Sequence, residues 1–527
     1  MSVLGLVALS QVAVLAALCF LVGRALYNAF FHPLAGFPGP RLWASSRLPY
    51  ATNLIRGRLH QRLKQLHDKY GPVVRIAPDE LSFTVDAAWH DIYCGGFGNK
   101  GFPKHSAYRN AQTFVSLFDA DDENHTRLRN LLGKEFFSLN SARRQERIVQ
   151  EYTTLMIHQL RKQYVEANCP ADMREWYNFL TFDVAARVTL SEDFGCLEKR
   201  TYHPWIEMVL THFKLSALLM ISRFYPPSSA LLFTLAPAKL IELRDTFIRL
   251  VREKIERRMN RTLPPDDNDD FVTAALGKGA EKGLTRDELE ANCILLLLAG
   301  SETMTTSLLG ATHYLCENPT ALRRLAAEVR ATATSEEQLT FGFITENMPY
   351  LNAVLRETQR LCPPVANGPA RVVNRPGTMI AGFPVPEGTA VGVTQFAANR
   401  HALNFARPND FTPERWLSVE QAAQIDSKIG DGNLVKDVEQ YSGDVRSVVR
   451  PFVVGGRDCI GQNLSWVEFR VVLARMVWNF DIEVVREEQF PSFGQWTDQK
   501  AFELWQKEPY HVRLTERTGC VGNRGSC

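Results

Sequence analysis

Between Thr285 and Pro319 the chain carries about 32 residues of helical periodicity that are apolar nearly all round, a rod of about 48 Å at 1.5 Å per residue. A helix with no polar face has to be covered on every side. The fold must therefore supply a large, mostly helical body around this rod. Thr285-Arg286-Asp287-Glu288 is a capping box that marks the start, and Asn318-Pro319 marks the end. In the middle stands Ala299-Gly300-Ser301-Glu302-Thr303, where glycine costs about 1 kcal/mol relative to alanine and an acid interrupts an apolar run. Taken alone, that is a packing notch with a surface glutamate.

A second apolar run, Val3 to Val22, is interrupted only by Gly5, Ser10 and Gln11. About 20 such residues span the roughly 30 Å hydrocarbon core of a bilayer. The rival, a cleaved signal peptide, would want a basic segment before the run and an apolar stretch of only about 7 to 15 residues. Arg24 and Arg41 follow the run, so the bulk of the chain is expected on the cytosolic side. The prolines of His32-Pro33-Leu34-Ala35-Gly36-Phe37-Pro38-Gly39-Pro40 cannot continue a helix. The expected division is residues 1–23 as membrane anchor, 24–45 as a stiff Pro/Gly-rich hinge and 46–527 as one catalytic body.

Within that body periodicity predicts helices over Gln61–Lys69, Arg127–Phe137, Arg144–Glu166, Leu235–Arg261, Arg286–Glu317, Ala321–Thr334 and Tyr350–Leu361. Short β pieces are expected at Val73–Ile76 and around Met379–Val385. The class is mainly α with small β-sheets. Leu263–Asp270 reads as an acidic loop, and Val419–Asp444, rich in Gln, Asp, Gly and Ser, as a disordered surface excursion. With 60 Lys+Arg against 58 Asp+Glu the net charge is +2, which calls for no nucleic acid. Ten cysteines without a CxxC pair fit a reducing compartment.

One cysteine stands apart. Pro451-Phe452-Val453-Val454-Gly455-Gly456-Arg457-Asp458-Cys459-Ile460-Gly461 places Cys459 at the entry of a helix, where orphan N–H groups and Arg457 are expected to favour a thiolate. The order Phe452, Gly455, Arg457, Cys459, Gly461 resembles the haem-thiolate loop of the cytochrome P450 monooxygenases. The resemblance implies the P450 fold, with an N-terminal transmembrane helix. It makes Cys459 the axial metal ligand of haem b, sets Phe452 beside the sulfur, pairs Arg457 with a haem propionate and gives Gly461 room for the cofactor. Val453 and Ser465 depart from the usual small residue and alanine.

The same resemblance covers nearly the whole chain. Glu357 and Arg360, three apart on one helix face, would join Arg415 of Phe411-Thr412-Pro413-Glu414-Arg415-Trp416 in a buried structural network. Gly300 would relax the long helix, while Thr303 and Glu302 would be the catalytic pair that handles oxygen and protons; Met304 replaces a small hydroxyl residue. His125, Arg129 and Arg371 would meet haem propionates. Pocket candidates, by motif position, are Ser116, Leu117, Ala299, Val365, Ala366 and Asn367.

The implied reaction is insertion of one atom of O2 into a lipophilic small molecule. No flavin-binding segment is recognised, so electrons from NADPH are expected through a separate reductase, with cytochrome b5 as a second candidate donor. Arg446, Arg450 and Arg127 are candidates for its landing patch. The hinge looks like that of fungal microsomal members that tailor secondary metabolites, which implies the cytosolic face of the endoplasmic reticulum. The alternatives are a haem-thiolate isomerase, dehydratase or peroxygenase, and a non-catalytic haem scaffold.

Overall fold

The computed structural model describes residues 3–95, 101–108, 115–133, 136–201, 217–225, 238–261, 270–276 and 283–517. An apolar run stays helical until something stops it, and here the stop is Pro33. Helix α1 (Val3–Phe30) accordingly extends eight residues past Val22, into the expected hinge, and its membrane-length window has no buried residue. The turns after it fold back on the helix end: Asn28 Nδ2 donates to Ser45 O at 3.1 Å and Arg41 stacks on Phe30 at 5.4 Å. Leu34 is fully buried. The segment is thus a docked strap as well as a chain break.

The body contains α2 (Asp122–Gly133), α3 (Leu139–Leu160), α4 (Met173–Leu190), α5 (Arg286–Glu317), α6 (Pro319–Thr332), α7 (Pro349–Leu361), α8 (Val419–Ile429), α9 (Leu434–Glu439) and α10 (Gln462–Asn479). Helix α5 has the predicted ends, and its capping box is formed in both directions, Glu288 N to Thr285 Oγ1 at 3.2 Å and Thr285 N to Glu288 Oε2 at 3.0 Å. It is a core helix rather than a second membrane span, because 61% of its apolar window is inside the protein. Its main neighbour is α4, which hydrophobic periodicity did not single out. Trp176 to Ala186 on α4 are buried without a break, so no polar stripe betrays the helical period. Hydroxyl pairs tie the two helices, Thr181 to Thr305 and Tyr177 to Thr312, each at 2.8 Å.

Small sheets flank the helices. β1 (Val73–Ala77), β2 (Glu80–Phe83), β4 (Arg371–Val372) and β7 (Ala390–Val393) form one sheet in the order β1-β2-β7-β4, with β3 (Ala171–Asp172) belonging elsewhere. β5 (Thr378–Ile380) and β6 (Phe383–Val385) form the expected hairpin, turned by Ala381 and Gly382 at φ 49° and 82°. β3, β11 (His511–Glu516) and β8 (Phe480–Val484) make a third sheet, and β9 (Lys500–Ala501) pairs with β10 (Trp505–Gln506).

Residues 419–444 are not a disordered excursion. Ser418 and Gln421 cap α8 reciprocally, Gly430 ends it at φ 72°, and Ala422, Ile425, Leu434 and Val438 are buried. Arg324 of α6 clamps the segment through Asp431 at 2.5 Å and Asp437 at 3.0 Å, and also binds Glu414 at 2.6 Å. Composition hid this because four well-placed apolar residues suffice when arginine supplies the remaining contacts. Residues 262–269 of the expected acidic loop and the C-terminal tail from residue 518 lie outside the described residues.

One core residue carries a pH consequence. Glu468 of α10 is 3% exposed, its Oε1 meets no hydrogen-bond donor, and burial raises its carboxyl to about 8. A raised acid contributes full stability below its ordinary value near 4.5 and loses it as pH rises through 8. At about 1.36 kcal/mol per unit the loss is on the order of 5 kcal/mol. The melting temperature should therefore fall between about pH 5 and pH 8 in the wild type, level off above that, and fall by distinctly less over the same range in Glu468→Gln.

Candidate functional site

The cysteine loop is shaped by its backbone. Cys459 N donates to Phe452 O at 2.9 Å, closing the loop, and Gly461 is the N-cap of α10. Gly455 sits at φ 87°, and a Cβ there would lie 2.2 Å from Tyr93 O, so no other residue fits. Val453 stands at φ 62°, a region costly for a β-branched side chain, which is a physical reason for preferring a small residue there. The Phe452 ring packs edge-on to Trp466 at 5.6 Å.

Cys459 has accessible surface although the surrounding protein desolvates its thiol. Burial pushes the thiol up, the Gly461 N–H pulls it down, Asp458 raises it and Arg129 lowers it; the net direction is upward. This corrects the expected thiolate preference of the bare chain. Arg457 is turned away, to Asp122 Oδ1 at 2.7 Å and Ala120 O at 3.0 Å.

Central helix α5 also has accessible residues near its middle. Ala299, in the middle of a core helix, is exposed, and Thr303 is half-buried with its Oγ1 donating to Ala299 O at 2.7 Å. Gly300 does not break the helix, which runs unbroken to Glu317; a Cβ there would lie 3.5 Å from Ala185 Cβ, so it marks the crossing with α4. Glu302 is buried and ion-paired with Lys507, a residue sequence reasoning did not single out. Met304 is buried in the core.

A cluster of cations surrounds His125. Burial, then Arg457, Arg129, Lys104 and Arg371, push this imidazole down to about 3, so it is neutral. Arg371 is 3% exposed, and its Nε and Nη1 have no hydrogen-bond partner; neither has Arg457 Nη1. Burial and the neighbouring Arg457 bring the Arg371 guanidinium down to about 10. Arg129 instead grips the cysteine loop, through Asp458 O at 2.5 Å and the Asp458 carboxylate. Buried cationic donors without acids are costly unless an anion joins them. Lys104, the member missed in the sequence, sits in Gly101-Phe102-Pro103-Lys104, which has no periodic signal.

The other pocket candidates divide. Ser116 and Leu117 are buried, bound to Asp119 Oδ2 at 2.8 Å and Asn292 Oδ1 at 2.9 Å; the neighbouring Phe118 is the accessible residue at 46%. Val365 is exposed, Ala366 is buried, and Asn367 Oδ1 is buried without a partner. Glu503, at the β9–β10 turn, has accessible surface, yet burial, opposed by Arg223 and reinforced by Asp119, raises it to about 7.

Glu357, Arg360 and Arg415 do meet, each with a fully buried side chain. Arg360 binds Glu357 through two bonds of 2.8 and 2.7 Å, while Arg415 Nε, Trp416 Nε1 and Thr412 N complete the carboxylate at 3.1, 2.8 and 2.8 Å. These donors hold Glu357 below the usual carboxylate range against its burial. Asp444, at the end of the 419–444 segment, takes the other face of Arg415. Arg446 and Arg450 follow closely, whereas Arg127 is paired with Glu288 at the start of α5.

The family model described as Cytochrome P450 matches residues 38–511. Cytochrome P450 monooxygenase lcsI of Purpureocillium lilacinum is 39% identical over 505 residues, 94% of this chain and 92% of that protein. Cytochrome P450 monooxygenase astJ of Aspergillus oryzae is 34% identical over 94% of both chains, and the trichothecene C-4 hydroxylase of Trichoderma arundinaceum is 36% identical over the same shares. A match of this extent, over relatives spanned nearly end to end, places the chain in the cytochrome P450 family.

Proposed function

We propose that the chain is a haem-thiolate monooxygenase that inserts one atom of O2 into a lipophilic small molecule in fungal secondary metabolism, drawing electrons from NADPH through a separate reductase. The observation that carries this reading is an accessible yet desolvated Cys459 sulfur together with a buried Arg371 guanidinium that has no acid partner. The residues fit haem b. Cys459 Sγ would ligate its iron, while Arg371, Arg457 and His125 would receive its two propionates. When bound, the thiolate-ligated haem supplies the O2 activation.

The chain's own groups do the rest. Arg129 anchors the loop through Asp458, and Phe452 with Trp466 shields the cysteine's flank from water. Thr303 Oγ1 can swing its proton away from Ala299 O, and Glu302 is the adjacent acid. Accessible Phe118, Val365 and Ala299 offer apolar lining for substrate, with Asn367 as a polar handle. Helix α1 supports a single-pass anchor that holds the body on the cytosolic face of the endoplasmic reticulum, and Arg446 and Arg450 are the candidate landing charges for the reductase or cytochrome b5.

Isotope transfer tests the reading. Membrane preparations given reductase, NADPH and ¹⁸O2 should yield products heavier than their precursors by one labelled oxygen, and none without NADPH. A product isomeric with its precursor and free of label would sink monooxygenation and favour the isomerase reading.

A further inference from the structure

We propose that Lys507 is a positioning residue for proton delivery, holding Glu302 in a buried ion pair from which the proton reaching Thr303 is passed. The proposal rests on the assignment of Glu302 and Thr303 above. Successive residues of an α-helix point about 100° apart, so neighbours 302 and 303 cannot face one direction. Thr303 is the more accessible of the two. Glu302 points instead to the C-terminal hairpin, where Lys507 Nζ donates to its Oε2 and the two side chains are only 4% and 1% exposed.

Lys507 cannot drift from this position. It follows β10, whose Trp505 Nε1 donates to Pro363 O at 2.8 Å, and the partner strand is fixed where Ala501 N donates to Gly57 O at 2.8 Å. Glu508 N binds Gln499 Oε1 at 2.9 Å and pins the following residue. A carboxylate paired with an ammonium has no proton of its own to give. The proton sits on Nζ: transfer breaks an N–H bond of Lys507 and forms an O–H bond on Glu302 Oε2. Rotation of the protonated acid then offers that proton toward Thr303 Oγ1, and solvent protons restore the ammonium.

Lys507→Gln, Lys507→Arg, Glu302→Gln and the double Glu302→Gln/Lys507→Gln form the test set, compared with reductase and NADPH. Lys507→Gln should lower product formed per NADPH at least fivefold, enlarge the solvent deuterium isotope effect, and keep the haem-thiolate spectrum. Product formation driven by an organic peroxide, which bypasses proton-dependent O2 cleavage, should stay within twofold of wild type. Lys507→Arg should recover most of the coupling, and the double variant should match Glu302→Gln alone, since Lys507 acts through that residue. Unchanged coupling and isotope effect in Lys507→Gln overturn the proposal, as does additive loss in the double variant. Wild-type coupling in Glu302→Gln instead overturns the underlying assignment of Glu302. If the single Lys507 variant does not retain haem, the double variant, which strands no charge, gives the decisive comparison.

Discussion

Cys459→Ala should fold, insert into membranes and show no thiolate-ligated haem spectrum, with NADPH-dependent turnover at background. The side chain is the only thing lost. The loop is closed by a main-chain bond from Cys459 N to Phe452 O, which alanine keeps, and Cys459 is accessible rather than packed into the core. Thermal unfolding of the haem-free chain should therefore move little, and protease resistance of the body should match wild type. A variant that still gives the thiolate spectrum would remove Cys459 as the ligand.

Glu357→Gln should be the most destabilising conservative change in the body. One buried carboxylate here serves two buried arginines and a half-buried indole and main-chain N–H. The amide keeps the volume but neutralises the charge, leaving Arg360 with no anion, only neutral acceptors such as the carbonyls of Asn399, Pro408 and Asp410. Stranding a buried charge costs about 3 to 5 kcal/mol. Arg415 keeps Asp444, so Asp444→Asn should cost less than Glu357→Gln. Chemical denaturation followed by tryptophan fluorescence should give that order; equal midpoints would show that the network does not stabilise the body in this way.

Features written in local spacing were legible before the structure. The ends of α5 follow from a capping box and an Asn-Pro pair, and the Glu357–Arg360 pair from one helical turn. Features that depend on what covers them were not. Helix α4 has no polar face, so its period is invisible, and Lys104 and Lys507 acquire meaning only from groups about 20 and 200 residues away in sequence, His125 and Glu302. The residues of 419–444 looked polar because their aspartates were counted as solvated. Two of them face Arg324, and Asp444 faces Arg415. The motif singled out Cys459, but the net upward push on its thiol arises from packing that no motif encodes.

Helix α1 has 28 residues, about 42 Å, against a hydrocarbon layer of roughly 30 Å. Its last eight residues add about 12 Å of helix, and the strap closes on that end through Asn28 to Ser45 and Arg41 to Phe30. The end of α1 is thus tied by side-chain contacts to the segment that leads into the body, instead of swinging on a tether.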